Sequence, residues 1–248
     1  MIVAIIQARM GSTRLPNKVL KKINNIPLIQ YQITRLKRSN KIDKIVVATS
    51  TKNIDNEIEE FCISNNIDCF RDSESDVLGR YYRCAKFYKA EVIVRLTADC
   101  PLTDPNVVDN VLSTFFEKKV DYCSNTTPPE TSMYPDGSDV EVFSYAALQK
   151  ANSIISDLHF REHVTFQFWR DGLFKNAQIT SVKDFSKYRI TVDYSEDFKA
   201  IEKIISEIER LGIFGNLEEI INIIDRDKNI FELNKMHFFG EGWEKKPN

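Results

Sequence analysis

The 248-residue chain has no long apolar run: its first one ends after Ile2-Val3-Ala4-Ile5-Ile6, too short for a membrane span or a secretory leader. Excess charge of either sign is also missing. A formal net charge of −2 argues against a nucleic-acid binder that relies on bulk positive potential, so any anion site must be local. Five cysteines, Cys62, Cys69, Cys84, Cys100 and Cys123, form no C-x-x-C pair and are odd in number. That argues against a zinc site and a disulfide framework, and predicts reduced thiols in a cytoplasmic protein. Internal repeats, low-complexity tracts and linkers are absent too, which predicts one domain over 1–248.

What is present is an alternation of strands and helices. Ile2–Ile6 reads as a buried strand, and Leu28, Ile29, Ile33 and Leu36 mark a helix after Pro27. Lys44–Thr49, Ile67–Phe70 and Glu91–Thr97 read as further strands. Between them, Asn53 is expected to cap a helix carrying Ile54, Ile58, Phe61 and Cys62 on one side, and Val77–Tyr88 to form another. Pro105 opens a helix at its first position. Val120–Ser124 reads as a strand, Asn125–Ser138 as a polar loop, and Asp139–Phe143 as a strand outside the main sheet order. Tyr188–Asp193, YRITVD, reads as a strand followed by Ser195 as helix cap; Gly212 ends that helix and Asn216 caps the last one. The pattern predicts an α/β fold with a mostly parallel sheet covered on both faces.

The loop after the first strand, QARMGSTRLPNKVL, gathers Arg9, Arg14 and Lys18 around Gly11, with Pro16 stiffening the turn. A glycine lets backbone approach a ligand and turns N–H groups toward an anion, and the cations suit a polyphosphate; a basic surface turn is the other reading. The loop is neither a P-loop, since Asn17 stands before Lys18 where glycine is needed, nor a dinucleotide fingerprint, since Gly11 is its one glycine. In an open α/β sheet, ligands bind beyond the carboxyl ends of the strands. The cationic loop, Asp99 after the Glu91–Thr97 strand and Asp193 at the end of YRITVD all fall there. Two carboxylates facing three cations make sense with Mg²⁺ and polyphosphate between them, although each aspartate could instead serve a turn or a helix cap.

The segment IIQARMGSTRLPNKVL resembles the N-terminal signature of sugar-activating cytidylyltransferases, a family that covers acylneuraminate and 3-deoxy-manno-octulosonate synthetases. It looks most like the spore-coat polysaccharide protein F subgroup. The resemblance runs from Ile2 through Asp197 and implies a three-layer Rossmann-like nucleotidyltransferase fold. It also implies CTP and a sugar acid or related acceptor as substrates, with Mg²⁺ on Asp99 and Asp193 and the triphosphate on Arg9, Arg14 and Lys18. The implied nucleotide set comprises Gln7, Ala8, Arg9, Gly11, Ser12, Arg14, Lys18, Arg71, Asp76, Arg80 and Thr97, with catalysis assigned to Arg9, Arg14, Lys18 and Asp99. Within it, Asp76-Val77-Leu78-Gly79-Arg80-Tyr81 matches a D-V-L-x-R-Y-like run, with Gly79 where the family carries aspartate; a charged helix start is the other reading.

On the acceptor side, Tyr134–Phe143 resembles the subgroup's Y-P-x-G-x-D-V-E-V motif, and Arg161–Thr165 its R-E-H-V-T helix. Tyr134, Asp136, Asp139, Glu141 and His163 are therefore the candidate acceptor residues, against a plain Pro-Asp-Gly turn and a structural histidine. The aromatic run Phe238–Trp243, within a tail of about 228–248, is expected to pack on the body or on a second subunit of a homodimer. Two other classes stay open. A GT-A-type glycosyltransferase would share the sheet, but Asp99-Cys100-Pro101 lacks the second aspartate of its D-x-D pair. A non-catalytic nucleotide-binding protein of a polysaccharide pathway would show no nucleotide consumption.

Overall fold

A computed structural model describes residues 1–241. Its centre is a seven-stranded sheet. Strands β1 (Ile2–Gln7), β4 (Lys44–Ser50), β5 (Asp68–Asp72) and β6 (Val92–Thr97) run parallel in the order β5-β4-β1-β6. Beyond β6 the sheet continues through β8 (Glu141–Ser144), β7 (Tyr122–Ser124) and β9 (Asn176–Gln178). Here β8 is antiparallel to both neighbours, while β9 is parallel to β7. A two-stranded ribbon, β2 (Lys22–Ile23) with β3 (Ile26–Pro27), stands apart.

Because successive side chains of a strand point to opposite faces, a continuous apolar run feeds two cores. In β1, Ala4 and Ile6 join the core under α1 (Leu28–Leu36), α4 (Pro105–Lys118), α8 (Ser195–Leu211) and α9 (Leu217–Arg226). Val3 and Ile5 join the core under α3 (Val77–Phe87), α5 (Tyr145–Ile154) and α7 (Phe166–Arg170). The chain is thus a three-layer α/β fold with a mostly parallel central sheet. Ile5 is fully buried, so Ile5→Ala should cost about 2–5 kcal/mol.

Local chemistry explains where the elements begin and end. Pro105 occupies the first turn of α4, and the Asp104 side chain caps it through Asn106 N–H at 2.8 Å. Its other oxygen takes Leu217 N–H at 2.7 Å, tying the start of α9 to α4. Asn216 caps α9 within a capping box completed by Glu219. Gly212 ends α8 in the left-handed conformation, φ 64°.

Four expectations need correction. Asn53 does not cap α2 (Asn56–Ser64); it opens a separate 3₁₀ turn, Asn53–Asp55, and leaves Ile54 half exposed. The strand containing Asp139–Phe143 begins at Glu141 and lies inside the main sheet, between β6 and β7. YRITVD is not a strand. It is an extended buried segment that touches the sheet's loops through one bridge, Arg189 with Asp136. Ile190 N–H bonds Asp136 O at 2.7 Å and Val192 N–H bonds Asp99 O at 2.8 Å, so it stitches two loops together instead of joining a ladder. Finally, Ser195 is the first residue of α8, Tyr194 is its N-cap, and the carboxylate that closes the turn belongs to Asp197.

The remaining described α-helices are α6 (Leu158–His163) and α10 (Lys228–Asn234), the latter following the Asn216-capped helix expected to be the last, and 3₁₀ turns form at Lys18–Leu20 and Pro129–Thr131. Asn234 donates to Arg189 O at 3.2 Å and to Asp197 at 2.9 Å, and His237 stacks on Tyr194 with ring centroids 3.9 Å apart. The tail through Glu241 therefore reaches the sheet's carboxyl edge. Gly242 and Trp243 of the aromatic run lie outside the described residues.

Candidate active site at the carboxyl edge of the sheet

The cationic loop leaves β1 with its first turn fixed from behind. Met10 is buried, and its N–H donates to the fully buried carboxylate of Asp55 at 2.7 Å. Ser12 Oγ accepts Leu15 N–H at 3.3 Å, and Asn17 takes a left-handed conformation, φ 57°, that turns the chain into Lys18. A Cβ on Gly11 would meet nothing closer than Glu74 at 3.8 Å, so the space kept clear faces outward. Gln7, Ala8, Arg9, Gly11, Ser12, Arg14, Lys18, Thr97, Asp99 and Asp193 all line one cavity of 560 Å³.

Lys18 is the hub. Its Nζ lies 2.8 Å from Asp99 Oδ2 and 2.8 Å from Asp193 Oδ1, bringing together the loop after β1, the loop after β6 and the YRITVD segment. Arg14 Nη2 reaches the same Asp193 oxygen at 2.7 Å and lies over the Tyr194 ring. Burial alone would push the Asp99 carboxyl up, but the Lys18 charge and hydrogen bond outweigh it and hold the carboxyl well below the usual range. Burial would likewise lower Lys18, and Asp99 and Asp193 reverse this. Both acid and base are therefore charged near neutral pH. Two carboxylates converging on one cation offer hard oxygens of the kind Mg²⁺ takes. No cluster of three or more His, Cys, Asp or Glu forms a cage among the described residues, so such an ion would also need phosphate or water ligands.

A second cavity, 220 Å³, opens from the first and shares Arg14, Thr97, Asp99 and Asp193 with it. Asp136, Asp139, Glu141 and His163 line it; Tyr134 is buried nearby and lines neither cavity. Glu141 is bonded by Arg95, Thr165 and Tyr122, and Asp136 pairs with Arg189. The Asp139 carboxylate accepts Thr126 Oγ1 at 2.8 Å and Gly137 N–H at 2.9 Å. Burial still pushes that carboxyl up to about 6. His163 stacks flat on Phe166 at 4.4 Å, and burial, then His159 and Arg95, push it down to about 4, so its ring is neutral near pH 7.

Three residues of the nucleotide set lie away from the cavities. Arg71 is committed to Ser50 O at 2.9 Å, Lys52 O at 2.9 Å and Glu59 at 2.6 Å. Asp76 caps α3 through Gly79 N–H at 3.0 Å and pairs with Arg161 at 2.7 Å, joining α3 to α6. At Gly79 a Cβ would collide with the Asp76 carboxylate as it is placed here and crowd Arg83. Arg80 is almost fully buried, with Nη1 on Ser73 O at 2.6 Å and Nε unpartnered. Burial, with Arg9 among the nearby charges, lowers its pKa.

Sequence reasoning passed over five residues that shape the site. Arg189 binds Asp136, Asp193 at 3.4 Å and Asp197 at 2.8 Å, and so holds one carboxylate of the hub. Arg95 pairs with Glu141 in the second cavity. Both arginines sit in otherwise apolar runs, a sign of buried charge that demands partners. Asp55 anchors the loop from a turn with no motif. Phe239 and Glu241 reach the cavities from the tail, whose aromatic run is expected to pack on the body or a second subunit without a place at the site.

Comparison with known proteins gives this geometry a family. The family model described as Cytidylyltransferase matches residues 3–237. Uncharacterized protein MJ1063 of Methanocaldococcus jannaschii is 36% identical over 236 residues, 94% of either chain. Spore coat polysaccharide biosynthesis protein SpsF of Bacillus subtilis is 31% identical over 235 residues, covering 91% of this chain and 95% of its own. Among solved structures, a cytidylyltransferase from Leptospira borgpetersenii superposes with a TM-score of 0.85 at 31% identity, over 93% of this chain and 96% of that one. Together these matches show a nucleotidyltransferase, and the chain belongs to the cytidylyltransferase family.

Proposed function

We propose that this enzyme binds CTP with Mg²⁺ and transfers the cytidylyl group to a hydroxyl of a sugar acid or related polyhydroxylated acceptor, releasing pyrophosphate, in surface polysaccharide or glycan synthesis. The observation that carries this reading is Lys18, held 2.8 Å from both Asp99 and Asp193 at the floor of a cavity walled by the cationic loop. The acceptor oxygen attacks the α-phosphorus in line, a new P–O bond forms, and the α–β bridging bond breaks. Positioning and charge neutralisation carry such a reaction. Arg9, Arg14 and Lys18 take the charge of the departing pyrophosphate. Asp99 and Asp193 would hold the divalent ion, which neutralises phosphate charge when bound. Lys18 and Arg14, neutralised by these acids in the free protein, turn to the phosphates once the acids take the metal. The reading includes a cytoplasmic homodimer acting as a single nucleotidyltransferase domain.

The test is a thermal-shift panel of CTP, UTP, GTP and ATP, with and without Mg²⁺, on wild type and Asp193→Asn. A ligand that binds only the folded state raises its stability. Selective stabilisation by CTP with Mg²⁺, weakened in the variant, is the expected result. Preference for another nucleotide would replace the cytidyl assignment, and no response to any would remove the catalytic reading.

A further inference from the structure

The tail after α10 is wired to the nucleotide side of the site through one carboxylate and one ring. Asp197 is fully buried, and its Oδ2 accepts the N–H groups of Asp193 at 2.9 Å and Tyr194 at 3.0 Å. Its Oδ1 accepts Asn234 Nδ2 at 2.9 Å, so the tail is anchored on the group that sets the backbone around Asp193. His237 N–H returns to Asn234 O at 3.1 Å, and the His237 ring lies flat on Tyr194, centroids 3.9 Å and planes 2° apart. Its Nδ1 is 3.3 Å from a carboxylate oxygen of Glu241, which lines the 560 Å³ cavity. The same Tyr194 ring carries the Arg14 guanidinium, whose Cζ is 5.0 Å from the centroid, while Arg14 reaches Asp193 at 2.7 Å.

A guanidinium over a ring is attracted by the ring quadrupole, and a stacked aromatic neighbour fixes how that ring is turned. Arg14 has many rotamers to lose, and a fixed platform removes part of that loss before a nucleotide arrives. In the cytidylyl-transfer reading above, on which this inference rests, Arg14 leaves Asp193 for the phosphates. Tyr194 is the contact it keeps during that exchange. We propose that His237 is a positioning residue of the nucleotide site, holding Tyr194 as the platform from which Arg14 meets the triphosphate. The tail is then a working part of the site, although neither Asn234 nor His237 lines either cavity.

The test is CTP affinity with Mg²⁺, measured calorimetrically on the full chain. His237→Ala should bind CTP about fivefold more weakly, the scale of one lost aromatic contact. His237→Phe keeps a flat ring and should stay within about twofold of wild type. In an Arg14→Ala background, already weakened, His237→Ala should add almost nothing, because both residues act through one path. Tyr194→Leu, which removes the platform itself, should reproduce the fivefold loss. A purely structural His237 would lower the melting temperature and leave CTP affinity unchanged, or would weaken CTP equally with and without Arg14. Either result overturns the proposal, as does a His237→Phe loss as large as that of His237→Ala, or unchanged affinity in Tyr194→Leu. A wild-type chain that binds no CTP overturns the nucleotide reading and this proposal together. Wild-type binding matched by His237→Ala overturns this proposal alone.

Discussion

The two cavities are built with the same residue types and use them in opposite ways. On the nucleotide side, Arg14, Lys18, Asp99 and Asp193 stay partly open, their side chains 31%, 11%, 25% and 18% exposed. On the acceptor side, Arg189 and Glu141 are 6% and 7% exposed and Asp197 is sealed, while their partners Asp136 and Arg95 are 16% and 14% exposed. Charges that must exchange partners when a substrate arrives keep access to water, which limits the cost of breaking a pair. Charges that only fix shape are buried, where losing one partner strands the other. Exposure thus grades the pairs within one site: the two sides overlap between about 11% and 18%, and only Arg189, Glu141 and Asp197 fall clearly below that range.

The harshest way to break this comparison is Arg189→Met. Removing the guanidinium leaves Asp197 buried without its cation and frees Asp136 and Asp193, so unfolding in urea should show a loss of about 3–5 kcal/mol. A loss below about 1 kcal/mol would mean that the buried pairs are no more structural than the open ones. Asp193→Asn and Asp99→Asn test the other side. Each should lower turnover by about 10²–10³-fold, the effect of deleting one preorganised electrostatic group. Asp193→Asn should leave the unfolding midpoint near wild type, because Lys18 keeps Asp99, whereas Asp99→Asn should also lower it, because Lys18 holds that carboxyl well below the usual range. An active Asp99→Asn enzyme would remove the metal assignment.

Gly137→Ala sharpens the comparison at the backbone. The residue sits at φ 96°, and a Cβ there would strike Thr191 N and Ile190 C, in the segment that carries Asp193. A cost of about 1–3 kcal/mol is expected, with activity falling alongside stability. A pH titration then reads two neighbouring carboxylates, Asp139 and Asp136, both pushed up by burial. Asp139 titrates at about 6 in the folded protein, above the unfolded value of about 3.9, so the folded state holds the extra proton between them. Stability should therefore fall as pH rises through that window, by about 1–3 kcal/mol. Asp99, held low by Lys18, acts with the opposite sign and only below the window, losing its contribution as pH drops. Asp139→Asn should flatten the fall, visible as a change of about 2–4 °C in melting temperature per kcal/mol.

How much of this was readable in advance follows the same division. The parallel half of the sheet was legible because β1, β4 and β6 are buried on both faces and read as unbroken apolar runs. The motifs that follow them lie within a few residues. The acceptor half was not. YRITVD alternates like a strand, yet its N–H groups go to Asp136 O and Asp99 O, partners far away in sequence. Glu141 lies in the middle of the sheet because β8 turns back between β6 and β7, and no local pattern encodes strand order. Arg95 and Arg189 did leave a trace, as charges inside apolar runs. Phe239 and Glu241 left the weaker trace of an aromatic run with no indicated place, and Asp55 left none, because its role comes from tertiary proximity alone.

Arg71 offers the finest discrimination. The resemblance places it among nucleotide contacts, whereas its guanidinium is spent on Ser50 O, Lys52 O and Glu59, holding the end of β4 against β5 and α2. If that geometry persists with substrate bound, Arg71→Gln removes bonds worth about 1 kcal/mol of stability and leaves CTP affinity within about twofold of wild type. A nucleotide contact would give the reverse, with CTP binding about tenfold weaker at unchanged stability, because the arginine would have to leave its backbone partners for the base. Measuring both quantities on one variant decides it, since the scaffolding role and the binding role move different observables.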